Sequence, residues 1–231
     1  MTHTAAYKAA GEFREAVRTQ QAITAPLERR ALAWLAQRTP EWIGPDHLTA
    51  LGFAAQFLAG VCYALARWSS LGLAGATVFI ALNWLGDSLD GTLARHRKRL
   101  RPRYGFYVDH MIDTFGAVFL MTGLALSGYL HWQVSLAMLT AFLTLSIEAY
   151  LASYTLADFR LSHGWCGPTE IRILMMAANV ALLFAPRVML LGRELFLLDV
   201  GGAIATVAMF GMATVAAIRN ARRLYEQERL R

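Results

Sequence analysis

Charged residues are scarce in this chain of 231 residues: Lys, Arg, Asp and Glu make up 16% of it, whereas hydrophobic residues make up 56%. Such a chain has too little polar surface to cover a soluble domain of its size, so the composition predicts an integral membrane protein. Only two cysteines are present, Cys62 and Cys166, and their positions predict neither a disulfide nor a zinc site. No Gly/Ser-rich linker or internal repeat divides the sequence, and we expect one domain.

Six apolar segments approach the length of about twenty residues that a membrane-spanning helix needs. They are residues 48–66, 71–93, 106–130, 134–156, 171–191 and 196–218. The predicted fold is therefore an all-α polytopic membrane protein with six transmembrane helices. We expect an amphipathic N-terminal segment at residues 1–46, a six-helix transmembrane catalytic domain at residues 47–218 and a basic cytoplasmic tail at residues 219–231.

The N-terminal segment has the pattern of an amphipathic helix, most clearly between Pro26 and Pro40. Leucines and tryptophans form one side of this helix and arginines the other. The pattern predicts a helix that lies in the membrane interface before the first span, with its arginines toward lipid phosphates. A helix that packs against a cytoplasmic partner is the alternative.

The basic residues are distributed unequally between the two sides of the predicted spans. Of the 22 Lys and Arg residues, only Arg67, Arg187 and Arg193 lie on one side. The positive-inside rule then predicts an inner or plasma membrane protein whose termini and candidate site face the cytoplasm. The net charge of +6 fits contact with anionic membrane lipids, and we expect no nucleic acid partner because no aromatic residues interleave the basic ones.

Four aspartates interrupt the second and third apolar segments, and at membrane depth their charge needs compensation. Asp87 and Asp90 are three residues apart, and Asp109 and Asp113 are four apart, so each pair shares one helix face. Two facing helices would bring four carboxylates into one small volume, where divalent cations would keep them ionised. An all-oxygen ligand set predicts Mg²⁺ or Mn²⁺.

Small residues accompany these aspartates. Gly91, Ala94 and Gly105 each lie one helical turn from one of them. They leave a strip without side chains, where a phosphorylated ligand can approach the backbone. Arg95 ends the strip and is placed to pair with a phosphate, although it is alternatively one more arginine of the positive side.

Together these residues form the pattern Asp87-x2-Asp90-Gly91-x2-Ala94-Arg95-x9-Gly105-x3-Asp109-x3-Asp113. The pattern resembles the signature of the CDP-alcohol phosphotransferases, also called CDP-alcohol phosphatidyltransferases, which make phospholipids inside membranes. The resemblance implies that the hydroxyl of an alcohol or lipid acceptor attacks the phosphorus on the alcohol side of a CDP-alcohol and that CMP departs. It implies a homodimer as well.

The resemblance also implies roles for individual residues. Asp87, Asp90 and Asp109 would bind the metal, with two ions expected, and Asp113 would either complete the metal site or serve as the general base. Asp46 and Thr49 resemble the family's residues on the cytidine side of the nucleotide. A helix N-cap formed by Asp46 explains the same sequence.

The acceptor side is predicted from Thr169-Glu170-Ile171-Arg172, which resembles a stretch of choline and ethanolamine phosphotransferases. Glu170 would then orient or deprotonate the acceptor hydroxyl, and a capping-box glutamate is the alternative. The fourth to sixth spans contain no dense cluster of Lys and Arg, which favours an uncharged or zwitterionic acceptor.

Two further expectations concern assembly and the class of function. A flank of small residues supports the homodimer through close helix contact: Gly201, Gly202, Ala203, Ala205 and Ala208. A divalent-cation transporter is the main alternative to an enzyme, followed by a non-catalytic membrane protein. A transporter has no need of the Gly91, Ala94 and Arg95 set, and no acidic residues continue the path toward the far leaflet.

Overall fold

The structure, a computed structural model, describes residues 17–19, 24–156, 158–160, 167–190 and 192–229. Cys166, residues 1–16 and 20–23 of the N-terminal segment and residues 230–231 of the basic tail lie outside the described residues. Within them are seven helices: α1 (Ala25–Arg38), α2 (Pro45–Leu65), α3 (Leu71–His96), α4 (Pro102–Leu126), α5 (Trp132–Leu156), α6 (Pro168–Phe184) and α7 (Leu197–Gln227). Four short strands form two pairs: β1 (Val17–Thr19) is parallel to β2 (Asp158–Arg160), and β3 (Arg187–Leu190) is antiparallel to β4 (Arg193–Phe196).

Three of the helices, α2, α5 and α7, are long and apolar enough to cross a membrane. Helices α3 and α4 have 26 and 25 residues, which correspond to about 38 Å at a rise of 1.5 Å per residue, but they contain the aspartates. Helix α6 has only 17 residues. The helical architecture is confirmed, and a total of six spans stays a prediction.

The fifth apolar segment ends earlier than predicted. Helix α6 stops at Phe184 instead of continuing to residue 191, because Pro186 has no backbone N–H and disfavours helical geometry at Ala185, which has φ −144° and ψ 79°. The chain then forms the β3–β4 hairpin, with Gly192 at a φ of 75° in its turn.

Helix α2 packs along both α3 and α4. Its backbone touches each neighbour at a pair of glycines. A Cβ atom on Gly86 of α3 would lie 2.6 Å from both the Leu48 carbonyl oxygen and the Gly52 nitrogen. About two turns further along α2, a Cβ on Gly123 of α4 would overlap the Gly60 carbonyl group. These contacts fix the positions of the two helices that carry the aspartates.

Helix α1 confirms the helix predicted between the two prolines, and it packs on α3 of its own chain. Leu27 and Trp34 point outward and are 74% and 53% exposed. Arg97, at the end of α3, donates hydrogen bonds to four carbonyl groups of the connector between α1 and α2, those of Thr39, Pro40, Glu41 and Ile43. The outward apolar residues fit the interfacial placement, which stays a prediction.

One residue of the predicted dimer flank is used inside the protomer. Gly202 is buried, and a Cβ atom there would lie 2.7 Å from Met138 and 2.8 Å from Val134 of α5. Gly202 therefore permits the packing of α7 on α5. Gly201, Ala203 and Ala208 remain exposed on α7.

Candidate active site

Gln56 of α2 contacts both of the helices that carry the aspartate pairs. The Gln56 side-chain oxygen accepts a hydrogen bond of 3.3 Å from Asn83 of α3, and the same side chain lies directly against Gly116 of α4. Asn83 is one turn before Asp87, and Gly116 is three residues after Asp113. The aspartates of α3 and α4 therefore lie within about two helical turns of residues that contact the same Gln56 side chain, and all four are half-buried.

Asp87 is paired with an arginine from α6. Arg172 donates from Nη2 to Asp87 Oδ2 at 2.8 Å and from Nε to Asn83 Oδ1 at 2.9 Å. The Arg172 side chain is only 14% exposed, so its charge compensates that of Asp87 inside the protein. Sequence reasoning counted Arg172 only as a positive-side residue, although its place in the Thr169 to Arg172 stretch was a signal for this role.

Asp90 is oriented by α2. The Thr49 hydroxyl donates to Asp90 Oδ2 at 2.6 Å and also lies 3.1 Å from the Pro45 carbonyl oxygen. Thr49 therefore contacts a residue that is predicted to bind the metal. The predicted contact of Thr49 with the nucleotide stays a prediction.

Asp46 is not the N-cap of α2, so that alternative is wrong. Pro45 occupies the first helical position, which moves the cap to Gly44, whose N–H donates to His47 Nδ1 at 3.0 Å. The Asp46 carboxylate instead forms an exposed ion pair with Arg101. Its predicted place beside the cytidine is not tested by this contact.

Asp109 and Asp113 face α5, where Tyr150 lies within electrostatic reach of both carboxylates. The Tyr150 ring packs edge-on against His110 with ring centroids 4.7 Å apart. His110 Nδ1 lies 2.6 Å from the Phe106 carbonyl oxygen, to which it donates. The imidazole ring of His110, which lies between Asp109 and Asp113 in the sequence, is therefore held by a backbone carbonyl group and by the Tyr150 ring.

The predicted strip beside the carboxylates is open. A Cβ atom on Gly91 would meet only Arg95 Nη1 within 4 Å, at 3.6 Å, and one on Gly105 would meet nothing within that distance. Arg95 Nη2 donates to the Thr92 hydroxyl at 3.1 Å, so the guanidinium lies over the strip beside Gly91. Ala94 is half-buried on the same helix.

The four aspartates are not gathered into a closed metal shell. Among the residues that the structure describes, no three His, Cys, Asp or Glu side chains are close enough together to hold a metal ion. Their chemistry nevertheless fits the hard oxygen ligands that Mg²⁺ and Mn²⁺ prefer. The metal site and its ligands stay predictions.

Glu170 uses both carboxylate oxygens in hydrogen bonds. Oε2 accepts from the Gly167 N–H at 2.9 Å, which confirms the capping box, and Oε1 accepts from the Thr24 N–H at 3.0 Å and from its hydroxyl at 2.7 Å. Partial burial raises the pKa of Glu170, but the hydrogen bonds from Thr24 and Gly167 outweigh it and hold that pKa below its usual value. These contacts favour a structural carboxylate, and the role as a base stays a prediction.

A basic groove lies on α7, which continues beyond the predicted span to Gln227. Next to this groove, Asn220 donates a hydrogen bond of 2.6 Å to Glu148 of α5. Glu148 is two residues before Tyr150 in the sequence. The groove has a volume of about 460 Å³ and is lined by Val215, Ile218, Arg219, Arg222, Arg223 and Glu226. Sequence reasoning had assigned these arginines to a tail, so it missed a basic cluster on the sixth long helix.

The fold and the paired aspartates define a helical membrane protein with a polar site between its helices. The sequence profile of the CDP-alcohol phosphatidyltransferases matches residues 42–218, which contain all eight residues of the aspartate pattern. The chain belongs to the CDP-alcohol phosphatidyltransferase family, as its motif predicted.

An archaetidylinositol phosphate synthase of Pyrococcus horikoshii is similar to this chain. The two sequences are 34% identical over 132 residues, which are 56% of this chain and 60% of that protein. The similarity therefore spans less than two thirds of the relative's length. Helix α1 precedes the region that the family profile matches.

Proposed function

We propose that the protein transfers a phosphatidyl or phosphoalcohol group from a CDP-alcohol to the hydroxyl of an acceptor, with release of CMP, in phospholipid biosynthesis. One observation carries this proposal: the two helices with the aspartate pairs both contact Gln56, and the strip at Gly91 beside the aspartates is open. Family membership and the name of the relative support it.

In this proposal Asp87, Asp90, Asp109 and Asp113 would hold two divalent cations, Mg²⁺ or Mn²⁺. Such ions, when bound, neutralise the pyrophosphate charge that repels the nucleophile and stabilise the departing CMP phosphate. Asp113 accepts the proton of the acceptor hydroxyl as its oxygen attacks the phosphorus and the bond from phosphorus to the CMP oxygen breaks.

Residues around the aspartates bind the donor. The backbone at Gly91 and Gly105 admits the pyrophosphate, and Arg95 pairs with a phosphate oxygen above this strip. In this proposal Thr49 and Asp46, at the start of α2, would contact the cytidine. Arg172 stays beside Asp87 and limits the negative charge of the site.

The basic groove on α7 supports an acceptor that itself carries a phosphate. Three arginines line it, and the Asn220 to Glu148 contact connects its helix to α5 near Tyr150. Arginine is well suited to phosphate recognition because its guanidinium binds two oxygens at once. The relative is named for an inositol phosphate lipid. These observations favour a phosphorylated polyol over the uncharged or zwitterionic alcohol expected from sequence.

The experiment is an assay of purified protein in lipid nanodiscs with Mg²⁺ or Mn²⁺, a panel of CDP-linked lipids and two matched acceptors, an inositol phosphate and free inositol. We expect CMP release and a phosphate-bearing lipid product only with the metal, the donor and the phosphorylated acceptor. Product from free inositol alone would contradict the acceptor class. Transport of divalent ions into liposomes without CMP release would favour the transporter.

We also propose that the protein is a homodimer with its termini and aspartates on the cytoplasmic side. Exposed small residues on α7, including Gly201, Ala203 and Ala208, support close contact with a second copy. Crosslinking in native-like membranes is expected to yield dimers. Monomers alone at every protein density would contradict the dimer, and labelling of an Arg229→Cys variant from the outer side would contradict the orientation.

A further inference from the structure

A buried carboxylate on α1 connects three helices near the site. Glu28 is 9% exposed, and its Oε1 accepts hydrogen bonds from Trp84 Nε1 at 3.0 Å, from the Ser88 hydroxyl at 3.1 Å and from the Thr169 hydroxyl at 2.8 Å. Trp84 and Ser88 belong to α3, and Thr169 to α6. Three donors on one oxygen offset the cost of burying this carboxylate.

The partners of Glu28 lie next to the groups that hold Asp87. Trp84 and Ser88 are three residues before and one residue after Asp87, and Thr169 is one turn before Arg172. Arg172 of α6 binds Asp87 of α3 at 2.8 Å. Glu28 therefore joins α3 and α6 at one point and the Asp87 to Arg172 ion pair joins them at a second, so the contacts form a closed ring. Such a ring fixes the rotation of α3 about its own axis relative to α6.

A helix that served only as a membrane anchor would not need this residue. An apolar side chain at position 28 would pack on α3 without the free-energy cost of burying a carboxylate. Thr24, the N-cap of α1, also bonds to α6, at Glu170, but this contact does not involve α3. Glu28 instead bonds to α3 as well as to α6, and its α3 partners, Trp84 and Ser88, lie on either side of Asp87 in the sequence.

We propose that Glu28 is a positioning residue for the transferase site: it holds α3 and α6 in the register in which Asp87 can serve with the other three aspartates. This inference rests on the proposed function. Glu28 itself lies outside the region matched by the family profile, so family membership does not assign it a role.

Four variants in nanodiscs test the proposal. Glu28→Leu fills the space without an acceptor, whereas Glu28→Gln keeps an oxygen at the same place. Thr169→Val removes one donor at nearly constant shape. Arg29→Gln is the matched control, because Arg29 is exposed on the same helix. The measurements are Mn²⁺ binding by electron paramagnetic resonance, kcat and KM for the CDP donor, and the midpoint of thermal unfolding.

We expect Glu28→Leu to weaken Mn²⁺ binding and to lower kcat by about 10-fold or more, because groups that orient metal ligands contribute about 10- to 100-fold. Thr169→Val should shift both in the same direction by less. Glu28→Gln should restore both toward wild type, and Arg29→Gln should leave both unchanged.

The outcomes separate this inference from the proposed function. Wild-type protein that neither binds Mn²⁺ nor releases CMP would refute the proposed function itself. If the wild type does both, unchanged Mn²⁺ binding and kcat in Glu28→Leu would overturn the role of Glu28, whatever the unfolding midpoint. Failure of Glu28→Gln to rescue, or an equal loss in Arg29→Gln, would overturn it as well. If Glu28→Leu does not fold, unchanged Mn²⁺ binding in Thr169→Val is the overturning result.

Discussion

Asparagine in place of Asp90 or of Asp109 is expected to abolish CMP release by protein that still inserts and purifies normally. Each substitution removes one anionic ligand from the proposed metal site, and loss of a ligand should cost more than the roughly 10- to 100-fold typical of its supporting residues. In Asp90→Asn the side-chain oxygen can still accept the hydrogen bond from Thr49, which is 2.6 Å in the wild type. The packing of α2 on α3 should therefore survive.

CMP release at saturating Mg²⁺ and Mn²⁺ binding are the two measurements for these variants. Asp199→Asn is the matched control, because Asp199 accepts hydrogen bonds from His131 at the other end of the bundle. Normal turnover in either Asp90→Asn or Asp109→Asn would refute the metal assignment.

In the same series Asp113→Asn should lower kcat strongly, and Glu170→Gln should affect stability more than turnover if its carboxylate is structural.

The substitution Gly86→Ala should lower both the stability and the activity of the protein. The added Cβ would lie 2.6 Å from backbone atoms of α2, which cannot rotate away as a side chain can. Helices α2 and α3 would have to separate, and Asp87, the next residue, would move with α3. Overpacking of this kind costs about 1–3 kcal/mol in the free energy of unfolding, and we expect a large fall in kcat.

Thermal unfolding in detergent and kcat in nanodiscs measure these two effects. Gly211→Ala is the control, because a Cβ atom at Gly211 of α7 meets nothing within 4 Å. There alanine should raise helix stability by up to about 1 kcal/mol. Equal losses in the two variants would show that the contact between α2 and α3 is not the cause.

The sequence predicted the helices best where long apolar segments end at clear signals. Helix α5 ends at the predicted residue, and α1 begins one residue before Pro26 and ends two residues before Pro40. The sequence prediction gave too little weight to a proline in two places. Pro186 ended α6 early, and Pro45 moved the cap of α2 to Gly44.

The contacts between helices were not predictable from helical periodicity. Periodicity shows which residues share one face of a helix, but not which helix packs on that face. Arg172 and Asp87 are 85 residues apart in sequence, and Arg172 had the pattern of a residue near lipid headgroups. Glu28 belonged to the polar side of an amphipathic helix, and its burial depends on contacts with α3 and with Thr169 of α6.

Arg97 has a consequence for how a lipid could enter. It is one of the cations from which the positive-inside rule predicts the orientation, yet its guanidinium binds four backbone carbonyl groups, including those of Thr39 and Ile43. Lysine could not reproduce this fork of donors. These bonds join the connector between α1 and α2 to the end of α3, and moving α1 together with its connector away from α3 would break them. We therefore expect any lateral opening of the bundle toward the lipid to form between other helices.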